Sequence, residues 1–286
     1  MRRLFGFGQV IASAIAVPGA AHLTDRSEAS PSLSIVRDDS AGMESEAAAG
    51  FSRDGDALRL TVPGVATYRC RARAITVAPC PSAAPTDLSE LLVASALPAA
   101  LWMQGRLVLH AAAVCTHAGG RALGLMGRSG SGKSTLAAGL VARGAVLLAD
   151  DSIAIAGGSG GLIASGLPGG LFLRGGDATR QFCPLAPHQT IDAAHLGALI
   201  LLDSAAAEAR LTRLSPNRAI EAVLSHRHRP HAPDLLGMRA KALRDCIELA
   251  RSIPVYAWGR PNAMLGAGLD EAALLVRALI EENLGS

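Results

Sequence analysis

MGRSGSGKST, residues 126–135, decides how this chain is read. It fits GxxxxGK[ST], with Gly127, four further residues, then Gly132, Lys133 and Ser134. A pattern this short needs the right surroundings. Here ALGLM (122–126) precedes it as an apolar strand, and KSTLAAGLVAR (133–143) follows with helical spacing as far as Gly144. Strand, glycine turn and helix N-terminus bring backbone N–H groups together, and the missing β-carbons at Gly127, Gly130 and Gly132 let that backbone approach phosphate oxygens. Residues Gly127, Arg128, Ser129, Gly130, Ser131, Gly132, Lys133, Ser134 and Thr135 are therefore expected to cradle a nucleotide. Lys133 would reach the β- and γ-phosphates and the Ser134 hydroxyl would join a Mg2+ ion.

One helix further on, AVLLADD (145–151) reads as a strand that ends in two carboxylates. In a right-handed crossover that end lies beside the phosphate site. One of Asp150 and Asp151 is expected to help hold Mg2+, and the other to orient an acceptor hydroxyl and take its proton; Asp150 is the one assigned to the metal. Upstream, GRLVLHAAAVC (105–115) reads as one strand, THAGGR as a turn, and ALGLM as an antiparallel return.

The rest of the chain fits an α/β layer architecture. Residues 1–85 are expected to form a small β-rich N-terminal domain, from the short strands LFGFGQVIASAIAV, LSIVR, ALRLTVPG, ATYRC and AITVAP. DRSEASP (25–31) and DDSAGMESEAAAG (38–50) read as loops, and PCPSAAPTD (79–87) as a linker. Residues 86–286 form the second domain. It opens with a helix from Asp87 to about Met103, capped by Thr86 or Asp87 and kinked at Pro98. Its later elements are loops around short strands in 156–176, a buried strand LGALILLD, helices SPNRAIEAVLSH and MRAKALRDCIELARS, a strand PVYAW and a closing helix LDEAALLVRALIEENL.

Composition narrows the function. Of 286 residues, half are apolar but only 3% aromatic, and the formal net charge of +3 gives no concentrated basic face of the kind a nucleic-acid binder shows. The five cysteines are scattered and odd in number, which argues against a disulfide framework or a zinc site. MRRLFGFGQVIASAIAVPGAAH imitates a secretory signal, but Gly6, Gly8, Gln9 and Ser13 interrupt the apolar run. No apolar run is long enough to span a bilayer, so no membrane partner is expected, and the scattered cysteines read as the reduced thiols of a cytoplasmic protein.

Taken together, the loop, LLADD and LVLHAAAV resemble the HPr kinase/phosphorylase group, over about residues 100–155. The likeness is to its short relatives in particular, which include kinases that act on lasso-peptide precursors. That resemblance implies a P-loop domain like the C-terminal domain of those kinases, ATP and Mg2+ as cofactors, a catalytic carboxylate in Asp150 or Asp151, and an active-site position for His110. It implies an ATP-dependent kinase that phosphorylates a serine hydroxyl on a peptide or small protein. HPr itself, a small metabolite, or a nucleotide-binding regulatory role without transfer are the alternatives, and a homo-oligomer is allowed. Thr135 stands where the bifunctional enzymes usually have glutamate, and SGLPGGLFLRGG lacks their glutamate-bearing signature, so kinase rather than phosphorylase chemistry is expected. The family's later arginine has three candidates here, Arg174, Arg227 and Arg229. His226, His228 and His231 in SHRHRPH offer metal-ligand chemistry without partnering acids or cysteines.

Overall fold

The computed structural model describes residues 1–22, 30–40, 49–174, 180–203, 206–261, 264 and 268–284. It is a mixed α/β protein with several sheets. The first strands are β1 (Arg2–Gly6), β2 (Gln9–Ser13), β3 (Ala21–His22), β4 (Leu33–Arg37), β5 (Gly50–Asp54), β6 (Ala57–Val62), β7 (Ala66–Arg71) and β8 (Ala74–Pro79). They form one sheet in the order β3-β1-β2-β4-β8-β7-β6-β5. Period-two alternation drives this: in β7, Ala66, Tyr68 and Cys70 point inward and are fully buried.

Two expectations for this region change. The run LFGFGQVIASAIAV reverses on Phe7 and Gly8, with φ of 52° and 67°, because two left-handed residues make the tight turn whose twist matches a hairpin. The segment that imitates a signal peptide is therefore a hairpin in the sheet. Most of the two expected loops, residues 25–29 and 41–48, lies outside the described residues.

The linking helix starts earlier than expected, as α1 (Pro85–Leu91), and continues through a π turn (Leu92–Ala96) into α2 (Leu97–Met103). Neither Thr86 nor Asp87 caps it: Ala84 precedes it without a side-chain cap, and Pro85 at the first turn loses no hydrogen bond. The kink expected at Pro98 takes the form of that π turn. Pro98 has no N–H to give the carbonyl of Ala94, and that oxygen accepts instead from Arg229 Nε at 2.9 Å. The helix joins the two sheets: Tyr68 donates to the Leu88 carbonyl at 2.9 Å, and Trp102 Nε1 to the His228 carbonyl at 2.7 Å.

The second half contains β9 (Leu107–Leu109), β10 (Ala111–Cys115), β11 (Ala122–Met126), α3 (Lys133–Val141), β12 (Val146–Ala149), β13 (Ile153–Gly158) and β14 (Gly161–Ser165). There follow β15 (Gly170–Arg174), β16 (Arg180–Pro184), β17 (Ala193–Asp203), β18 (Arg210–Arg213), α4 (Pro216–Ser225) and α5 (His231–Leu235). α6 (Arg239–Ser252), β19 (Val255–Gly259) and α7 (Gly268–Leu284) complete the chain. The strands order as β12-β10-β11-β17-β14-β13-β9, with β19 beside β17 and β18 beside β19. β11, β17 and β19 run parallel, so the loop after β11 and the residues after β19 emerge on one edge. α3 packs against α7 through Leu136, Leu140 and Leu275, over Leu125 and Ile200 of the sheet.

Residues 105–115 are not one strand. The chain breaks at His110, where β9 pairs with β13 while β10 pairs with β11 and β12. The antiparallel return of β11 on β10 forms as read. Among the described residues, no helix is long and apolar enough to cross a membrane.

Candidate functional site

The turn between β11 and α3 is held open by glycine. Gly130 and Gly132 adopt φ of 81° and 83°, a region that costs other residues ~1–2 kcal/mol. At Gly127 a Cβ would lie 2.4 Å from Ser131 Oγ. α3 starts directly after Gly132 with no side-chain cap, which leaves its first N–H groups to a ligand or to water. The turn walls a cavity of about 180 Å³ that Ser129, Lys133, Ser134 and Thr135 line together with Asp151 and Arg174.

Lys133 is only 7% exposed. Its ammonium donates to the carbonyls of Gly127 at 2.8 Å and Arg128 at 3.2 Å, and to His110 Nε2 at 3.1 Å. Those bonds fix the histidine's state. His110 Nδ1 lies 3.1 Å from the Asp151 backbone carbonyl; a carbonyl only accepts, so Nδ1 carries the proton and Nε2 offers its lone pair to Lys133. Burial, outweighing the Asp151 carboxylate, pushes the imidazole pKa below its ordinary value. The ring is therefore neutral at pH 7.

β12 ends at Ala149, and the two carboxylates that follow diverge. Asp150, 6% exposed, turns away from the loop and accepts the Phe172 N–H at 2.7 Å, which fastens β15 to the end of β12. Asp151 faces the cavity. Its Oδ1 lies 3.6 Å from His110 Nδ1, and its Oδ2 lies 4.0 Å from His228 Nε2.

His228 arrives through main-chain pairing. The stretch HRHR after α4 runs beside β9, with His110 N donating to the His226 carbonyl at 2.7 Å and His228 N to the Val108 carbonyl at 2.8 Å. His228 then lies inside the protein with Nδ1 2.6 Å from Ser152 Oγ, its ring 5.1 Å from that of His110. Burial pushes its pKa down to about 3. The same stretch places Arg227 and Arg229 on a second cavity of about 590 Å³, which shares His110, Ser129 and Asp151 with the first. The three candidate arginines thus divide, Arg174 beside the loop and the other two across Asp151.

The histidines of SHRHRPH do not converge on one point among the described residues. Their place is taken by His110, Asp151 and His228, whose ligand atoms lie within 4.8 Å of one another. A nitrogen-ligated metal does not suit this trio. It would need the Nδ1 lone pair of His110, which moves the proton to Nε2, against the ammonium of Lys133. Oxygen donors, Ser134 and Asp151, sit together on the 180 Å³ cavity, a set suited to Mg2+.

Sequence reasoning passed over Arg260 and Glu271. Arg260 is fully buried, donates through Nη1 to Glu271 Oε1 on α7 and through Nη2 to the Ser131 carbonyl of the loop. Trp258 Nε1 donates to the same Glu271 oxygen at 3.0 Å. The one sequence signal was an arginine directly after an apolar strand parallel to β11, with an acid in the first turn of the following helix.

No family model matches the chain, and no curated protein matches it. Among solved structures, the Hpr(Ser) kinase/phosphatase from Coxiella burnetii is similar over 62% of this chain and 96% of that one, with 13% identity and a TM-score of 0.32. Likeness at that level assigns no role to any residue, so the functional reading rests on the site itself.

Proposed function

We propose that the chain is an ATP-dependent P-loop kinase that phosphorylates a serine hydroxyl on a peptide or small protein, with residues 86–286 as its kinase domain and 1–85 as a smaller β-rich domain. One observation carries this reading: Asp151 forms a wall common to the 180 Å³ glycine-loop cavity and the 590 Å³ cavity. A general base belongs between a phosphate donor and a hydroxyl acceptor.

In this reading, the loop amides and Lys133 grip the triphosphate, and Lys133 leaves the carbonyls of Gly127 and Arg128 to do so. Ser134 would hold Mg2+ together with a carboxylate other than the base, and the ion would supply charge neutralisation for the phosphoryl group. Asp151 takes the hydroxyl proton as the acceptor oxygen bonds to the γ-phosphorus and the bond to the β–γ bridging oxygen breaks, releasing ADP. His110 orients Asp151 through its main-chain carbonyl and keeps Lys133 in place at rest. Asp150 remains the carboxylate proposed for the metal, and its Oδ2 also accepts the Phe172 N–H, which fastens β15. Phe51 of β5 walls the acceptor side, which gives the N-terminal sheet a part in recognition.

The test is transfer of radiolabelled phosphate from ATP to serine peptides, with nucleotide binding measured in parallel. Asp151→Asn is expected to lower turnover ~10²–10⁴-fold while nucleotide binding persists. Unchanged turnover in that variant sinks the proposal.

A further inference from the structure

The 590 Å³ cavity is cationic. Arg128, Arg227 and Arg229 line it along with His226 and His231, and Asp151 is the carboxylate on its wall. Several of the chain's arginines pair with acids, as in Arg71 with Asp56, Arg218 with Glu221 and Arg277 with Glu281. These three have no ion pair with any described carboxylate. Among the described residues, Arg227 and Arg229 donate through Nε alone, to the carbonyls of Leu224 at 3.1 Å and Ala94 at 2.9 Å. Both donations fix the plane of the guanidinium and leave the terminal nitrogens to the cavity.

Arg227 and Arg229 are half-buried, which costs each guanidinium hydration, and the carboxylate whose charge reaches Arg229 is that of Asp151 on the same cavity wall. At Arg229 burial outweighs the attraction of Asp151 and pulls the pKa below the ordinary value, and the backbone is held at φ 51°, a conformation that persists only when its surroundings enforce it. Neither residue lines the loop cavity, so the phosphates of a nucleotide there are not their partner. Across Asp151, a separate cavity of about 250 Å³ carries Asp87 and Glu90 and is lined by no described cation, so it repels an anion.

The geometry points to an acceptor that carries an anionic group, a carboxylate or a phosphate, next to the hydroxyl to be phosphorylated, held by the guanidinium forks of Arg227 and Arg229. This rests on the kinase reading of the site and names its substrate class. The forks match two oxygens of such a group, and gripping it would set the hydroxyl against Asp151.

The test is nucleotide-free binding to the full chain, followed by fluorescence anisotropy. The probes are fluorescein-labelled short serine peptides that differ only in the residue after the serine, which is aspartate, asparagine or phosphoserine, each with a free or an amidated C-terminus. Wild type is expected to bind the acidic probes ~10-fold or more tightly than the neutral amide. In Arg227→Gln and Arg229→Gln the advantage should fall severalfold, and in Arg213→Gln it should stay. The arms tell side-chain carboxylate, terminal carboxylate and phosphate apart. Should Arg229→Gln misfold, Arg229→Lys and the loss of the advantage as salt rises from about 50 to about 500 mM give the same answer. Equal affinity for acidic and neutral probes, no measurable binding of any probe, or an advantage that survives both glutamine variants overturns the proposal. Acidic peptides that bind but accept no phosphate count against the kinase reading alone, whereas phosphorylation without acid preference counts against the anion site alone.

Discussion

Acidification from pH 7 to pH 4 isolates the burial of His228. The groups that face it pull in opposite directions: Asp151 favours the imidazolium, while His110, Arg229 and Lys133 oppose it, and desolvation outweighs them all. The pKa is about 3 in the fold, against an ordinary 6.5 that the unfolded chain recovers. Because the folded value is depressed, the unfolded state binds the proton first. The stabilisation is complete above pH 6.5 and is lost as the pH falls toward 3. By pH 4 the loss from this group alone amounts to about 3 kcal/mol, a large part of the ~5–15 kcal/mol that holds a typical domain. His228→Asn keeps a polar atom near Ser152 and cannot titrate. Urea unfolding of both proteins at pH 7, 6, 5 and 4 should show wild type losing about 3 kcal/mol more than the variant over that range. Carboxylates common to both cancel, and whatever the variant costs at pH 7 drops out of the slope. Parallel pH profiles would refute the reasoning, since they would mean that His228 takes up its proton without leaving its site.

Further outcomes follow from the loop and its support. Lys133→Met should weaken binding of a fluorescent ATP analogue by one to two orders of magnitude, given ~1.5–3 kcal/mol for a charged hydrogen bond; unaltered affinity would remove Lys133 from the cradle. Gly132→Ala places a Cβ 3.4 Å from Arg260 Nη2 at φ 83°, and should cost ~1–2 kcal/mol in urea unfolding. Arg260→Met leaves Glu271 buried without its partner and should cost ~3–5 kcal/mol. Adding Glu271→Leu should recover much of that loss, and a double variant no better than the single one would show the pair to be incidental.

What could be read in advance was local. The order strand, glycine turn, helix, strand, acids is written in contiguous residues from 122 to 151, and each step has a strong short-range cause. The pairing of β10 with β11 belongs to the same class. What escaped the reading depends on partners distant in sequence. His110 breaks its strand because β9 and β10 claim different neighbours, and nothing in LVLHAAAV reports that. SHRHRPH offered candidate arginines and histidines without a place for them, and main-chain bonds to Val108 and His110, more than a hundred positions earlier, lay it along the site. Asp150 and Asp151 are adjacent acids on paper; the amide of Phe172, held by Asp150, and the two histidines near Asp151 separate them. The hairpin at Phe7 was hidden by an apolar residue in a left-handed position, where asparagine or glycine would have announced the turn.

The clasp of Arg260 on the Ser131 carbonyl, closed by Glu271, also orders events during synthesis. A ribosome finishes the glycine loop some 130 residues before it adds the two side chains that fasten it. The nascent chain therefore passes through a long interval in which the glycine loop exists as sequence but lacks its fastening, and the loop reaches its final form only with the helix that carries Glu271.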